Sequence, residues 1–155
     1  MPAQKLKQVL DQQKIKYISI NHSPAYTARE TAASTFIPRR EFAKTIIVDI
    51  DGEKVMAVVS ASRHVSIEAL RNLAHANEAR LASEDEFGEL FPDCEVGAMP
   101  PFGSLYNMRV FIDEMVTEVD DLCFNAGSHE QILRMDCRDY LKLEQPAIGR
   151  FAIEE

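Results

Sequence analysis

The sequence predicts an α+β fold: a single compact domain over residues 1–155, with a mixed sheet curled toward a barrel and flanking helices. Three observations carry that expectation. A chain of 155 residues can bury one sizeable core and leaves little over for a second. Two β-rich apolar runs, KTIIVDI and KVMAVVS, flank Asp51, Gly52 and Glu53, the pattern of a hairpin closed by an Asp-Gly turn. The remaining strand candidates do not alternate with helices in regular βα repeats, which disfavours a doubly wound sheet.

The elements follow in chain order. Leu6, Val9 and Leu10 share one helix face, so residues 3–13 read as an amphipathic helix capping the core. KYISIN reads as a strand ended by His22, Ser23 and Pro24, after which TARETAAST opens with a threonine cap and reads as a short helix. Both arms of the hairpin are apolar almost throughout, which places it centrally in the sheet with neither face wet. SIEALRNLA (66–74) and SEDEFGEL (83–90) each begin with a serine cap and early acidic residues, the signature of helix starts. MRVFID, DLCFN and QILRM supply further strands, and a final helix lies around CRDYLKL. No internal repeat or linker is evident.

Composition narrows the function. The formal charge of −8, from 17 Lys+Arg against 25 Asp+Glu, disfavours a broad polyanion-binding face, so a nucleic-acid partner must be gripped locally. The densest basic patch is PRREFAK (38–44), with Arg29 and Arg63 as further cations. No apolar run reaches the roughly 18 to 20 residues of a membrane-spanning helix, and the N-terminal stretch lacks a signal-peptide core. No membrane partner is expected, and residence is expected to be cytoplasmic. Cys94, Cys123 and Cys137 form neither a CxxC nor a zinc-ligand cluster and read as free thiols.

Three segments can carry chemistry. Lys44 stands at the mouth of an apolar strand, where it either snorkels to water or presents a point charge to a phosphate or polarised carbonyl. GAMPPFG (97–103) is a stiff loop whose N–H donors can come only from Gly97, Ala98, Met99, Phe102 or Gly103. Gly127, Ser128 and His129 form a turn after an apolar run, and His129 is either satisfied within that turn or faces a cleft. Ser128 beside His129 does not indicate a hydrolytic triad, since no GxSxG elbow is present.

In this order and spacing, FAKTIIV, GAMPPFG and FNAGSHE resemble the YbaK/prolyl-tRNA synthetase-associated editing domain family, and the likeness runs from NHSPAYTARETAA through DYLKL. The resemblance implies a compact α+β domain that hydrolyses the ester linking a mischarged amino acid to the 3′-terminal ribose of tRNA, without metal or cofactor. It implies that Lys44 is the residue most tied to activity, that the GxxxP backbone from Gly97 to Pro101 shapes the amino-acid pocket, and that Gly127, Ser128 and His129 form the opposite wall. Thr45, Ala98, Met99, Phe102 and Gly103 are carried along as pocket residues. Two positions depart from commoner family patterns: Met99 stands where a smaller aliphatic residue is frequent, and Thr45 where some branches carry Asn. Esters of alanine, cysteine, serine, threonine or a nonprotein amino acid remain open. The partners implied are the aminoacyl end of mischarged tRNA and an aminoacyl-tRNA synthetase. A noncatalytic module using the same cleft to hold an aminoacyl-adenylate-like ligand, or docking on a synthetase, is the alternative. A side chain added at Gly97 is expected to exclude larger substrates, unless Gly97 itself requires a positive φ.

Overall fold

The computed structural model describes residues 4–21 and 37–154. Helix α1 (Gln4–Gln12) buries Leu6 and Leu10 and is followed by strand β1 (Tyr17–Asn21). The predicted turn at His22, Ser23 and Pro24 and the helix over TARETAAST, with Arg29, lie outside the described residues.

The hairpin is the centre of the molecule. Strands β2 (Phe42–Ile50) and β3 (Glu53–Ser60) pair antiparallel from Ala43↔Ser60 to Ile50↔Glu53, leaving Asp51 and Gly52 as a two-residue turn. Both have positive φ, +49° and +88°, the primed turn that matches the right-handed twist of the arms. Around it lie β4 (Arg63–Val65), helix α2 (Ile67–Leu73), β5 (Ala79–Leu81), helix α3 (Glu84–Phe87), β6 (Val110–Asp113), β7 (Asp121–Asn125), β8 (Gln131–Asp136), helix α4 (Cys137–Glu144), β9 (Ala147–Gly149) and β10 (Ala152–Glu154).

The main sheet runs β1-β8-β7-β2-β3-β6-β9, and β4 pairs separately with β10. The sheet is mixed, because β2 pairs parallel with β7, and β3 with β6, while the two hairpins are antiparallel. On its edge away from β3, β2 changes neighbour: Phe42 and Ala43 pair with Cys123 and Phe124 of β7, whereas Val48, Asp49 and Ile50 pair with β5. Residues 44–47 lie between these two ladders. The sheet therefore splits there.

One face packs on α1, α4 and the loop between α3 and β6 through Ala43, Ile47, Met56, Val58, Phe102, Phe124 and Tyr140. The opposite face carries two smaller apolar clusters, one around Val48, Val59, Leu70 and Phe151 and one around Phe42, Cys123 and Ile132. Burial of this kind, at about 25 cal/mol per Å² of apolar surface, is the dominant favourable term.

Local caps act as the sequence predicts. Ser66 Oγ accepts from Ala69 N–H, and Ser83 and Glu86 form a reciprocal capping box. The helix expected over 83–90 is shorter, four residues of α-helix followed by a 3₁₀ turn at Gly88–Leu90, since glycine at the junction lowers the helical preference. Sequence reading did not foresee the three-residue strands β4, β5, β9 and β10, which are too short to show periodicity.

Candidate active site

The loop at 94–103 and the turn at 125–130 are joined main chain to main chain. Glu95 N–H donates to Gly127 O at 2.8 Å, and Gly127 N–H donates to Ala98 O at 2.8 Å. Two glycines make this possible: Gly97 and Gly127 have φ of +84° and +94°, conformations in which an L side chain is strained. A Cβ built at Gly97 would stand 3.6 Å from Cε1 of His129, so loop and histidine ring are in direct apposition.

His129 is 8% exposed and held at two points. Its main-chain N–H donates to Glu95 Oε2 at 3.0 Å, and its Nε2 lies 2.8 Å from Val96 O. A carbonyl only accepts, so Nε2 carries a proton, and in the neutral ring Nδ1 is the acceptor nitrogen. A general-base role through Nε2 is thereby disfavoured. Ser128 Oγ accepts from Glu130 N–H at 3.3 Å. Both Ser128 and His129 lie in the turn before β8, not on an extended segment. Glu95 was not singled out by sequence reasoning, and an exposed glutamate in a loop offers no signal for its role as the clamp of His129.

Lys44 lies inside β2 as its third residue, opposite Val59, and is half-buried. That corrects its expected place at the strand mouth: pairing with β3 extends the strand back through Phe42 and Ala43. It sits where β2 and β7 part, one step beyond the last paired residues, and Asn125 is the corresponding residue of β7. Alternation puts Lys44 on the face of Phe42, between the two smaller apolar clusters, while Thr45 is buried on the opposite face with Ala43 and Ile47. β7 then runs directly into Gly127, Ser128 and His129. The split in the sheet thus brings the lysine strand alongside the segment that leads to the turn.

The rest of the loop is core. Met99, Phe102 and Gly103 are buried. Phe102 packs tilted against Phe124 and edge-on to Tyr140, with ring centroids 5.4 and 5.1 Å apart, and Tyr140 Oη donates to Pro101 O at 2.6 Å. A Cβ at Gly103 would fall 2.3 Å from Met108 O, so that glycine serves close packing. Of the five candidate donors, Ala98 N–H is engaged by Glu95 O and Phe102 N–H by Pro100 O. Among the described residues the N–H groups of Gly97, Met99 and Gly103 donate to no main-chain carbonyl.

The thiols are unsuited to nucleophilic work. Burial pushes Cys94 and Cys137 up to about 11 and Cys123 to about 12, so the thiolate is scarce at neutral pH. Among the described residues no group of three or more His, Cys, Asp or Glu side chains could hold a metal ion. A groove of ≈ 1260 Å³ beside β1 and β8 is lined by mixed charges, including Lys14, Arg134 and Asp136, and touches none of the residues above.

A family model described as an aminoacyl-tRNA editing domain matches residues 22–143. The multifunctional Ser/Thr-tRNA deacylase ProXp-y of Escherichia coli K12 is 29% identical over 114 residues, covering 70% of this chain and 68% of that protein. A proline--tRNA ligase of Maridesulfovibrio salexigens is 34% identical over 130 residues, covering 83% of this chain but only 22% of the ligase. Among solved structures, a hypothetical protein superposes with a TM-score of 0.87 at 21% identity, over 97% of this chain and all of that one. A candidate trans-editing enzyme for prolyl tRNA synthetase superposes at 0.81 with 18% identity, over 99% and 97%. These two structural likenesses establish the fold, a single mixed α/β domain.

Proposed function

The chain belongs to the aminoacyl-tRNA editing domain family, and from that premise we propose that it is an aminoacyl-tRNA deacylase, hydrolysing the ester bond of mischarged tRNA in trans. The whole chain, 1–155, would form one editing domain. One observation carries this reading: the main-chain junction of the Gly97 loop with the Gly127–His129 turn, beside the split in the sheet that holds Lys44.

The chemistry asks little of the protein. In hydrolysis a water oxygen bonds to the ester carbonyl carbon, the bond from that carbon to the ribose 3′ oxygen breaks, and the ribose oxygen takes a proton. The vicinal ribose hydroxyl can relay that proton, so positioning replaces a covalent nucleophile. Lys44 would hold the terminal phosphate or the carbonyl side of the ester. The main-chain N–H groups of Gly97 and Met99 are candidates for the developing oxyanion, and preorganised donors of this kind are typically worth about 10²- to 10³-fold in rate. Gly127, Ser128 and His129 would close the far wall, with Thr45, Ala98, Pro101, Phe102 and Gly103 supporting the loop from below. A net charge of −8 fits an enzyme that grips only the 3′ end of tRNA, with a prolyl-tRNA synthetase as a further partner and the cytoplasm as the place of work.

The test is release of amino acid from a panel of mischarged tRNAs, with alanyl, seryl, threonyl and cysteinyl esters on one tRNA body. Turnover of one or more supports the reading. Binding of the aminoacyl end without turnover would turn it to a noncatalytic module.

A further inference from the structure

We propose that Asn125 reads the amino acid: its side-chain Oδ1 accepts a hydrogen bond from the β-hydroxyl of a seryl or threonyl ester held beside Lys44. The inference rests on the deacylase reading and goes further by naming the substrate class and the residue that selects it.

The observation is an unsatisfied atom. Asn125 ends β7 and is 6% exposed, yet among the described residues its Oδ1 has no hydrogen-bond partner. The preceding residues Leu122, Cys123 and Phe124 are fully apolar and buried, so an amide at the next position works against the strand's own packing. Buried polar groups are satisfied in the great majority of cases, and an exception in a native fold calls for an explanation such as a missing ligand.

Its placement names the ligand's location. Phe42 pairs with Cys123 and Ala43 with Phe124, so Lys44 and Asn125 are the next residues of the two strands, where the strands separate. Paired neighbours project to one face, and Phe42, Cys123 and Ile132, the residue opposite Asn125, share an apolar cluster there. Asn125 therefore stands at the margin of that cluster on the Lys44 side. Two residues later begins the Gly127–His129 turn, which the Gly97 loop clasps.

Charge then selects among donors. An amide oxygen accepts only, so the ligand must offer N–H or O–H. The α-ammonium of an amino acid would bring a second positive charge beside Lys44, and like charges repel. A neutral hydroxyl carries no such penalty. An alanyl ester lacks it and leaves Oδ1 unsatisfied in the complex as it is in the free chain, so the hydroxyl's hydrogen bond is what favours the seryl and threonyl esters.

The experiment measures kcat/KM of the full chain for seryl, threonyl and alanyl esters on one tRNA, for wild type, Asn125→Ala and Asn125→Val. For Asn125→Ala the seryl and threonyl values are expected to fall on the order of 10- to 100-fold, with the alanyl value within about twofold of wild type. For Asn125→Val, which removes the unsatisfied group, the thermal midpoint is expected to hold or rise. An equal fall for all three esters, or unchanged ratios, overturns the assignment while leaving the deacylase reading intact. A marked loss of thermal stability in Asn125→Val overturns it too, by making the amide structural. A wild-type chain that hydrolyses neither the seryl nor the threonyl ester overturns the assignment, and one that also leaves the alanyl and cysteinyl esters intact overturns the deacylase reading with it.

Discussion

The two ends of strand β2 solve opposite problems with the same kinds of side chain. At the hairpin end the carboxylates of Asp49, Asp51 and Glu86 are all engaged. Asp49 accepts from Gly52 N–H at 2.8 Å and Lys54 Nζ at 2.6 Å and lies 3.4 Å from Arg80, which also makes a forked pair with Glu86 at 2.6 and 2.7 Å. Asp51 accepts from the N–H groups of Asn77 and Glu78, closing the approach to β5. At the other end Lys44 and Asn125 face a split, and Asn125 Oδ1 has no partner among the described residues. A satisfied polar network rigidifies, and an unpaired buried polar atom is costly until something pairs with it. The hairpin end is built for stability, whereas the split end is the one we propose to take a ligand.

The sharpest way to break this contrast is Lys44→Ala. It is expected to lower deacylation by about 10²-fold or more, the scale of losing a preorganised charge, with little change in thermal midpoint. A variant of normal stability with near wild-type turnover would remove the split end from the chemistry. His129→Ala is expected to cost less, roughly 10-fold, because Nε2 is already committed to Val96 O and the ring's contribution is shape and hydrogen bonding.

Next comes Gly97→Ala. The expectation that a methyl group would filter esters by size gives way to the observed φ of +84°. The added Cβ has room, 3.6 Å from the His129 ring, so the penalty lies in the backbone and is about 1 kcal/mol. Distortion should pull apart the Glu95–Gly127 and Gly127–Ala98 bonds, and kcat/KM should fall by a similar factor for every ester. Selective loss for the larger esters would instead restore the size filter.

At the hairpin end the effects should reverse. Asp49→Ala is expected to destabilise by about 1–2 kcal/mol through the loss of its hydrogen bonds, with kcat/KM nearly unchanged. The hydrogen bond from Lys54 first, and that from Gly52, hold the Asp49 carboxyl below its ordinary range against the opposing effect of burial, and Arg80 does the same for Glu86. A depressed carboxyl contributes stability that is complete above its unfolded value, about 4, and is lost as pH falls through the folded value. Urea midpoints measured from pH 6 down to 2 should therefore decline in wild type, and less steeply in Asp49→Ala. The smallest effect is expected from Cys94→Ser: turnover should be unchanged, since burial holds that thiol near 11. Loss of activity with the fold intact would reopen thiol catalysis.

How much of this was legible depends on sequence distance. The hairpin, its Asp-Gly turn and the serine caps of α2 and α3 are local, and short-range chemistry gave them correctly. The Gly97 and Gly127 segments were recognisable as special because glycine stands where φ is positive. What could not be read was the parallel meeting of β2 with β7 and its divergence at Lys44, because register between distant strands leaves no local trace. The same limit hid Glu95 and Asn125, ordinary residue types that matter only through what they are set against.

The pairing of β2 with β7 spans only two residue pairs, yet it joins segments about 80 residues apart along the chain, so it closes a long loop for little immediate return. Hairpins such as β2–β3 and β7–β8 form on the microsecond scale, whereas contacts of high sequence separation delay folding. Each hairpin brings one part of the candidate site, Lys44 with the first and the Gly127–His129 turn with the second, and the Gly97 loop belongs to neither. A chain folded only as far as its two hairpins would hold native sheet and no site. Amides flanking the split should then exchange with solvent through smaller openings than those at the Asp51–Gly52 turn strand, and competence to act on an ester should be the last property acquired during refolding.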